Sequence, residues 1–127
     1  DIRISSQPNA LLLFNPVYDN SPSGYGYSRV KDVYPQISPM HNIKKGTPPT
    51  IVFLGTKDSL IPVATAKEYK QRMETVGRRC DLHLYDGQPH GFFNYGNQKY
   101  YLDTVDKMDT FLVSLNYLKA KESGTCD

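Results

Sequence analysis

Three short apolar runs, each ending at turn-forming residues, constrain the fold of this chain more than any other feature. The runs are residues 10–14, 51–54 and 82–85, followed by Asn-Pro, Gly and Asp-Gly respectively. Runs of this length that stop at such residues are typical of β-strands. The first two are almost continuously apolar, as in a parallel sheet covered on both faces, whereas alternation in the third favours a strand nearer the edge.

Apolar residues at helical spacing follow the second and the third run. The first stripe comprises Ala66, Tyr69, Met73 and Val76, between Pro62 at its start and Gly77 at the position of a left-handed cap. The second predicts a terminal helix from about residue 101 to 119, with acidic residues towards its start and basic residues at its end. Its members are Val105, Met108, Phe111, Leu112, Leu115 and Leu118, its acidic residues Asp103, Asp106 and Asp109, and its basic residues Lys119 and Lys121.

This alternation of strand and helix predicts the α/β class, with a parallel sheet of about three strands and flanking helices. A length of 127 residues fits one domain, which we place at residues 1–127. The composition, 39% hydrophobic and 22% charged, is that of a globular protein. We expect no nucleic-acid partner, because the net charge is only +2 and the basic residues are scattered.

No apolar run approaches the roughly 20 residues that cross a bilayer, so we expect no membrane span. The two cysteines, Cys80 and Cys126, lack metal-site spacing and leave the compartment undecided. Cys80 is predicted to be a small buried strand residue.

The segment from residue 19 to 49 is rich in Pro, Gly, Ser and Tyr and has no sustained period, which predicts a long irregular connection above the carboxyl edge of the sheet. Asp19 either lines a substrate site there or is a turn residue, and the turn is the simpler interpretation. The tyrosines of this segment either form part of a lid or an aromatic wall at the substrate site, or belong to an ordinary surface loop. These are Tyr25, Tyr27 and Tyr34, and no role is predicted for His41, Lys44 or Lys45.

Two chemically active side chains follow neighbouring strands. Asp58 lies after the second run and His90 after the third, so both are expected at the carboxyl edge, where parallel sheets bind their ligands. A carboxylate beside an imidazole fixes its tautomer and stabilises the imidazolium that forms when a nucleophile is deprotonated. Alternatively, Asp58 caps the next helix, although Ser59 could do so instead, and His90 is bonded only to backbone. His83 is predicted to face solvent.

The segment Gly55-Thr56-Lys57-Asp58-Ser59-Leu60-Ile61-Pro62 and the later Pro89-His90-Gly91-Phe92 resemble the α/β-hydrolase superfamily, most closely its acetyl esterase and lipase branch. The resemblance extends over about residues 10–118 and includes Ile37-Ser38-Pro39 and Phe14-Asn15-Pro16. In that family the acid lies in a G-x-x-D-x-x-x-P segment and the base in an H-G-F segment. The resemblance therefore implies that Asp58 is the acid and His90 the base of a Ser-His-Asp triad.

The family's G-x-S-x-G nucleophile segment, which precedes the acid and the base, does not occur in this sequence. The nearest fragment surrounds Ser28 but lacks the second glycine and follows no apolar run. We therefore expect a carboxy-terminal portion of the domain, with the nucleophile-bearing half and the oxyanion donors absent.

The resemblance implies a serine-type carboxylic ester hydrolase with a small-molecule ester substrate and no metal or organic cofactor. Alternatives are a prolyl oligopeptidase-type peptidase fragment and a non-catalytic truncated domain. The isolated chain is expected to be inactive. It is also expected to pair through the edge at residues 10–14, either with the missing amino-terminal half or with a second copy of itself.

Overall fold

The computed structural model describes residues 3–120, which form two compact units that meet in sequence at Phe92 and Phe93. The first unit holds the sheet and the second holds the last helix. In chain order the strands and α-helices are β1 (Leu11–Phe14), α1 (Tyr27–Val30), α2 (Tyr34–Ile37), β2 (Thr50–Gly55), α3 (Val63–Thr75), β3 (Cys80–Tyr85) and α4 (Gln98–Ser114).

The predicted parallel sheet is confirmed, with three strands in the order β1-β2-β3. Its register aligns Phe14 with Phe53 and Phe53 with His83. All six residues of β2 are buried, as expected for a central strand whose sequence is continuously apolar. Strand β3 lies at an edge, which agrees with its alternating sequence. The carboxyl ends of all three strands therefore lie along one rim.

One face of the sheet packs against helix α3. Ala66, Tyr69 and Met73 are buried there, at the spacing that the sequence predicted. Tyr69 stacks on Tyr18, with ring centroids 4.2 Å apart. Cys80 is buried as predicted. Burial and the neighbouring acidic residues raise the pKa of its thiol to about 11, although Lys70 acts in the opposite direction. The nine buried members of this core are Tyr18, Met40, Val52, Leu54, Ile61, Ala66, Tyr69, Met73 and Cys80.

Aromatic rings cover the opposite face. Phe53 is fully buried between Phe14 and His83, at centroid distances of 4.9 and 5.6 Å. Tyr85 continues the row and packs on Phe92 at 4.5 Å. The predicted solvent-facing position of His83 is wrong: its ring is half-buried on Phe53, whereas Leu84 on the other face is exposed.

Helix α3 begins directly after Pro62, as predicted, and ends one residue before Val76, the last residue of the predicted stripe. The N-cap residue of the helix is Pro62, and no side chain makes a capping hydrogen bond there. Ser59 therefore does not cap helix α3. Val76 lies just past the last helical residue, and Gly77 follows with the left-handed φ of 70° that the sequence predicted.

Short helical turns break up the connection that the sequence predicted to be irregular. Besides α1 and α2, single 3₁₀ turns span Lys31–Val33 and Pro39–His41. The first part of the connection is closed on itself, because the N–H of Met40 donates to the carbonyl of Tyr18 at 2.8 Å. This closed part reaches into the interior, where Ser38 and Met40 are buried.

In the second unit, α4 begins three residues before the predicted start and ends five residues before the predicted end. It stops because Asn116 adopts a left-handed φ of 59° and the N–H of Tyr117 turns back to the carbonyl of Leu112. Asp103 pairs with Lys107 one turn along the helix. Lys121 and Cys126 lie outside the described residues.

Candidate active site

Asp58 is positioned by a tight turn at the end of β2. Its N–H donates to the carbonyl of Gly55 at 3.2 Å, which closes the turn. The side chain has no exposed surface. One carboxylate oxygen, Oδ1, accepts hydrogen bonds from the N–H groups of Leu60 at 2.8 Å and Ile61 at 3.0 Å. Asp58 thus organises the approach to α3 through one oxygen, in the manner of an Asx turn.

Opposing effects act on the ionisation of Asp58. Burial alone raises its pKa, but the backbone N–H groups of Ile61 and Leu60 and the ring of His90 together outweigh burial. The net result is a pKa below the ordinary aspartate value, so the group is a carboxylate at neutral pH.

The other oxygen of Asp58 binds His90. Oδ2 lies 2.8 Å from His90 Nδ1, and the imidazole side chain is 46% exposed. Because an ionised carboxylate only accepts, Nδ1 must carry the proton. In the neutral ring, Nε2 is then an acceptor, the form that a general base requires. Asp58 does not cap helix α3, whose N-cap is Pro62. It forms the turn and binds the histidine at the same time, since each role uses a different oxygen.

A close backbone approach brings the two loops together. A Cβ at Gly55 would lie 2.1 Å from the carbonyl oxygen of Gln88, which shows how near the loop after β3 passes. The N–H of Lys57 donates to that same oxygen at 2.9 Å. The loop carrying His90 thus crosses directly over the end of β2.

Asp19 forms the turn that was the simpler interpretation. Its carboxylate accepts from the N–H of Ser21 at 2.8 Å and from the Ser21 hydroxyl at 2.9 Å. It also lines an open cavity of about 350 Å³, together with Tyr25 and with Leu60 and Ile61 of the Asp58 turn. Asp19 therefore lies beside the Asp58 loop, as the rim position predicted.

Two tyrosines of the connection, Tyr27 and Tyr34, pack on one another, and Tyr34 also contacts a histidine. Tyr34 contacts Tyr27 and His41 edge-on, at centroid distances of 5.8 and 5.2 Å. Ser28 is exposed in α1, and Lys44 and Lys45 are exposed. These contacts account for Tyr27 and Tyr34 by packing, whereas Tyr25 lines the cavity beside Asp19.

No role was predicted from the sequence for Ser38 or Asn15, although both are buried and have unusual local structure. The buried hydroxyl of Ser38 accepts from the N–H of Asn20 at 3.0 Å, donates to the carbonyl of Tyr18 at 3.2 Å and lies 3.0 Å from His41 Nδ1. Asn15, directly after β1, has a φ of 44°, and its buried side-chain amide has no hydrogen-bond partner among residues 3–120. The sequence signals that could have drawn attention to them are the pairs Ser38-Pro39 and Asn15-Pro16.

No group of three or more His, Cys, Asp or Glu side chains within residues 3–120 is arranged to hold a metal ion. In the same part of the chain, none of the helices is both long and apolar enough to span a bilayer.

Comparison with known proteins gives one family. The model of the dienelactone hydrolase family matches residues 17–120. No curated protein matches this chain.

Several solved structures of an esterase are similar. Esterase 2 of Thermogutta terrifontis phosphorylated by paraoxon is 39% identical, with a TM-score of 0.84 over 95% of this chain and 45% of its own. The native form is 36% identical, with a TM-score of 0.87 over 97% and 48%. The form phosphoramylated by tabun is 40% identical, with a TM-score of 0.87 over 95% and 47%. The chain thus spans about half the length of these structures.

Proposed function

This chain belongs to the dienelactone hydrolase family, within the α/β-hydrolase superfamily, and on that premise we propose that it supplies the acid and the base of a carboxylic ester hydrolase. Asp58 is the acid and His90 the base. The observation that carries the proposal is the 2.8 Å contact between Asp58 Oδ2 and His90 Nδ1, made by a fully buried carboxylate to a half-exposed ring.

The reaction begins when His90 Nε2 takes the proton of a serine hydroxyl as its oxygen attacks the ester carbonyl carbon. Asp58 keeps its charge and stabilises the imidazolium. His90 then returns the proton to the departing alkoxide, which leaves an acyl-enzyme, and a water activated by the same nitrogen hydrolyses it. The serine and the oxyanion donors come from a segment that this sequence does not contain.

The solved relatives support a nucleophilic mechanism and a substrate class. Esterase 2 is phosphorylated by paraoxon and phosphonylated by sarin, reactions expected of an activated nucleophile. Other structures of the same esterase hold propionate and butyrate. We therefore take esters of short-chain carboxylic acids as the substrates. The pairing of the β1 edge with an amino-terminal half or a second copy remains a prediction.

The test is hydrolysis of nitrophenyl butyrate by protein that includes the upstream segment. His90→Ala should lower kcat by about 10²–10⁴-fold, because the general base is lost. His41→Ala is the matched control and should leave kcat unchanged, since that exposed ring lies in the connection and bonds Ser38.

The 127-residue chain alone should give no saturable turnover, because each missing oxyanion donor is worth about 3–4 kcal/mol. Saturable turnover by the chain alone, or full activity of His90→Ala, would contradict the proposal. Cleavage of a peptide in preference to the ester would favour the peptidase alternative. Failure of the longer protein to react with a fluorophosphonate would favour the non-catalytic one.

A further inference from the structure

Thr56 connects the loop that carries Asp58 to the loop that carries His90. Its hydroxyl donates to Asp86 Oδ1 at 3.1 Å and accepts from the N–H of Gly87 at 2.8 Å. Its own N–H donates to the carbonyl of Tyr85 at 3.0 Å, which extends the β2–β3 ladder by one bond. One residue therefore contacts three consecutive residues at the start of the His90 loop.

The path of that loop depends on these contacts. Gly87 has a left-handed φ of 70°, so the chain turns sharply where the Thr56 hydroxyl holds it. The turn is closed by the N–H of Gln88 on the carbonyl of Tyr85 at 3.2 Å. His90 follows Gln88 by two residues, and its ring is half-exposed, so packing around the ring restrains it only in part. The loop must therefore be held by bonds other than the one between Asp58 and His90.

We propose that Thr56 is a positioning residue, whose hydroxyl fixes the turn at Asp86 and Gly87 and so keeps His90 Nδ1 on Asp58. Only the expected effect of Thr56 on turnover rests on the proposed function. The effect on the ring itself is independent of any substrate.

Thr56→Val removes both hydroxyl bonds with little change in shape, and Thr56→Ser restores the hydroxyl. Thr75→Val is the matched control, because the Thr75 hydroxyl also donates a hydrogen bond, in this case to the carbonyl of Gln71 within α3. If Thr56→Val does not fold, Thr56→Ala takes its place, since it puts no γ-methyl group where the hydroxyl contacted the polar loop.

The first readout is the tautomer of His90 in the 127-residue chain, measured from imidazole ¹⁵N shifts at a pH where the ring is neutral. The native protein should hold mainly the Nδ1–H form. Thr56→Val should shift the ring towards the tautomer mixture of free histidine, whereas Thr56→Ser and Thr75→Val should not. A merely structural threonine would change the melting temperature but leave the tautomer as it is.

The second readout is kinetics in the protein that includes the upstream segment. Thr56→Val should lower kcat by about 10- to 100-fold, because small displacements of a catalytic group are costly, and should change KM little. If a folded Thr56→Val variant keeps the native tautomer and kcat, the inference is overturned while the proposed function stands. If the unmodified longer protein does not hydrolyse the ester, the proposed function fails, and the tautomer result still decides the role of Thr56.

Discussion

A methyl group added at Gly55 tests how closely the His90 loop must cross β2. In Gly55→Ala the new carbon would lie 2.1 Å from the oxygen and 2.7 Å from the carbon of the Gln88 carbonyl, whereas ordinary contacts begin at 3.4 Å. Both neighbours are backbone atoms, so no rotamer change relieves the overlap. The loop or the strand must therefore move by more than 1 Å.

The displacement has two consequences. It strains or breaks the bond from the N–H of Lys57 to Gln88, and overpacking of this kind costs about 1–3 kcal/mol. It also moves His90, two residues further along, away from Asp58. Since a misplacement of about 1 Å lowers rates by up to about 10²-fold, kcat should fall in the longer protein. Gly55 does not have a positive φ, so backbone strain does not contribute.

Urea unfolding of the chain measures the loss of stability, and the His90 tautomer measures the displacement of the ring from Asp58. Gly46→Ala is the matched control, because a Cβ there meets nothing within 4 Å and the φ of Gly46 is not positive. That variant should be neutral or more stable by up to about 1 kcal/mol, through the lower entropy of the unfolded chain. If Gly55→Ala matched Gly46→Ala in both stability and tautomer, the close approach would not be what aligns the two loops.

Two further perturbations probe the acid and the core. Asp58→Asn removes the charge, so kcat of the longer protein should fall by about 10⁴-fold, and a loss below tenfold would refute the role of the carboxylate. Because the folded pKa of Asp58 is lowered, its carboxylate stabilises the fold above the unfolded pKa, and this contribution is lost as pH falls through the folded value. Urea midpoints should therefore fall more steeply below about pH 4 for the native chain than for Asp58→Asn, and parallel curves would contradict this. Phe53→Ala should cost about 3–5 kcal/mol in urea unfolding because that ring is fully buried. Val33→Ala, at a 49% exposed position, should cost less than about 0.5 kcal/mol, and equal losses would mean that the aromatic face contributes little.

Where the sequence prediction was imprecise, the missing information was geometric. Helix α4 ends at Ser114 because Asn116 turns left-handed, and Leu115 and Leu118 continue the apolar period past that point without being helical. His83 alternates with leucines in sequence, yet the register places it beside Phe53, which covers part of its ring. The periodicity of a sequence shows which residues are apolar. It does not show which side chains of the neighbouring strand will lie next to them.

The sequence by itself determined the parallel α/β architecture and the rim on which Asp58 and His90 lie. Both follow from local patterns, since apolar runs of strand length that alternate with helical stripes allow few other topologies. Only the tertiary structure decided that one oxygen of Asp58 accepts from the backbone while the other binds His90. It also decided that the Thr56 hydroxyl bonds the loop after β3 and that this loop passes close to Gly55. These features join segments about 30 residues apart, through contacts whose distances depend on strand register and loop path, and local propensity does not encode either.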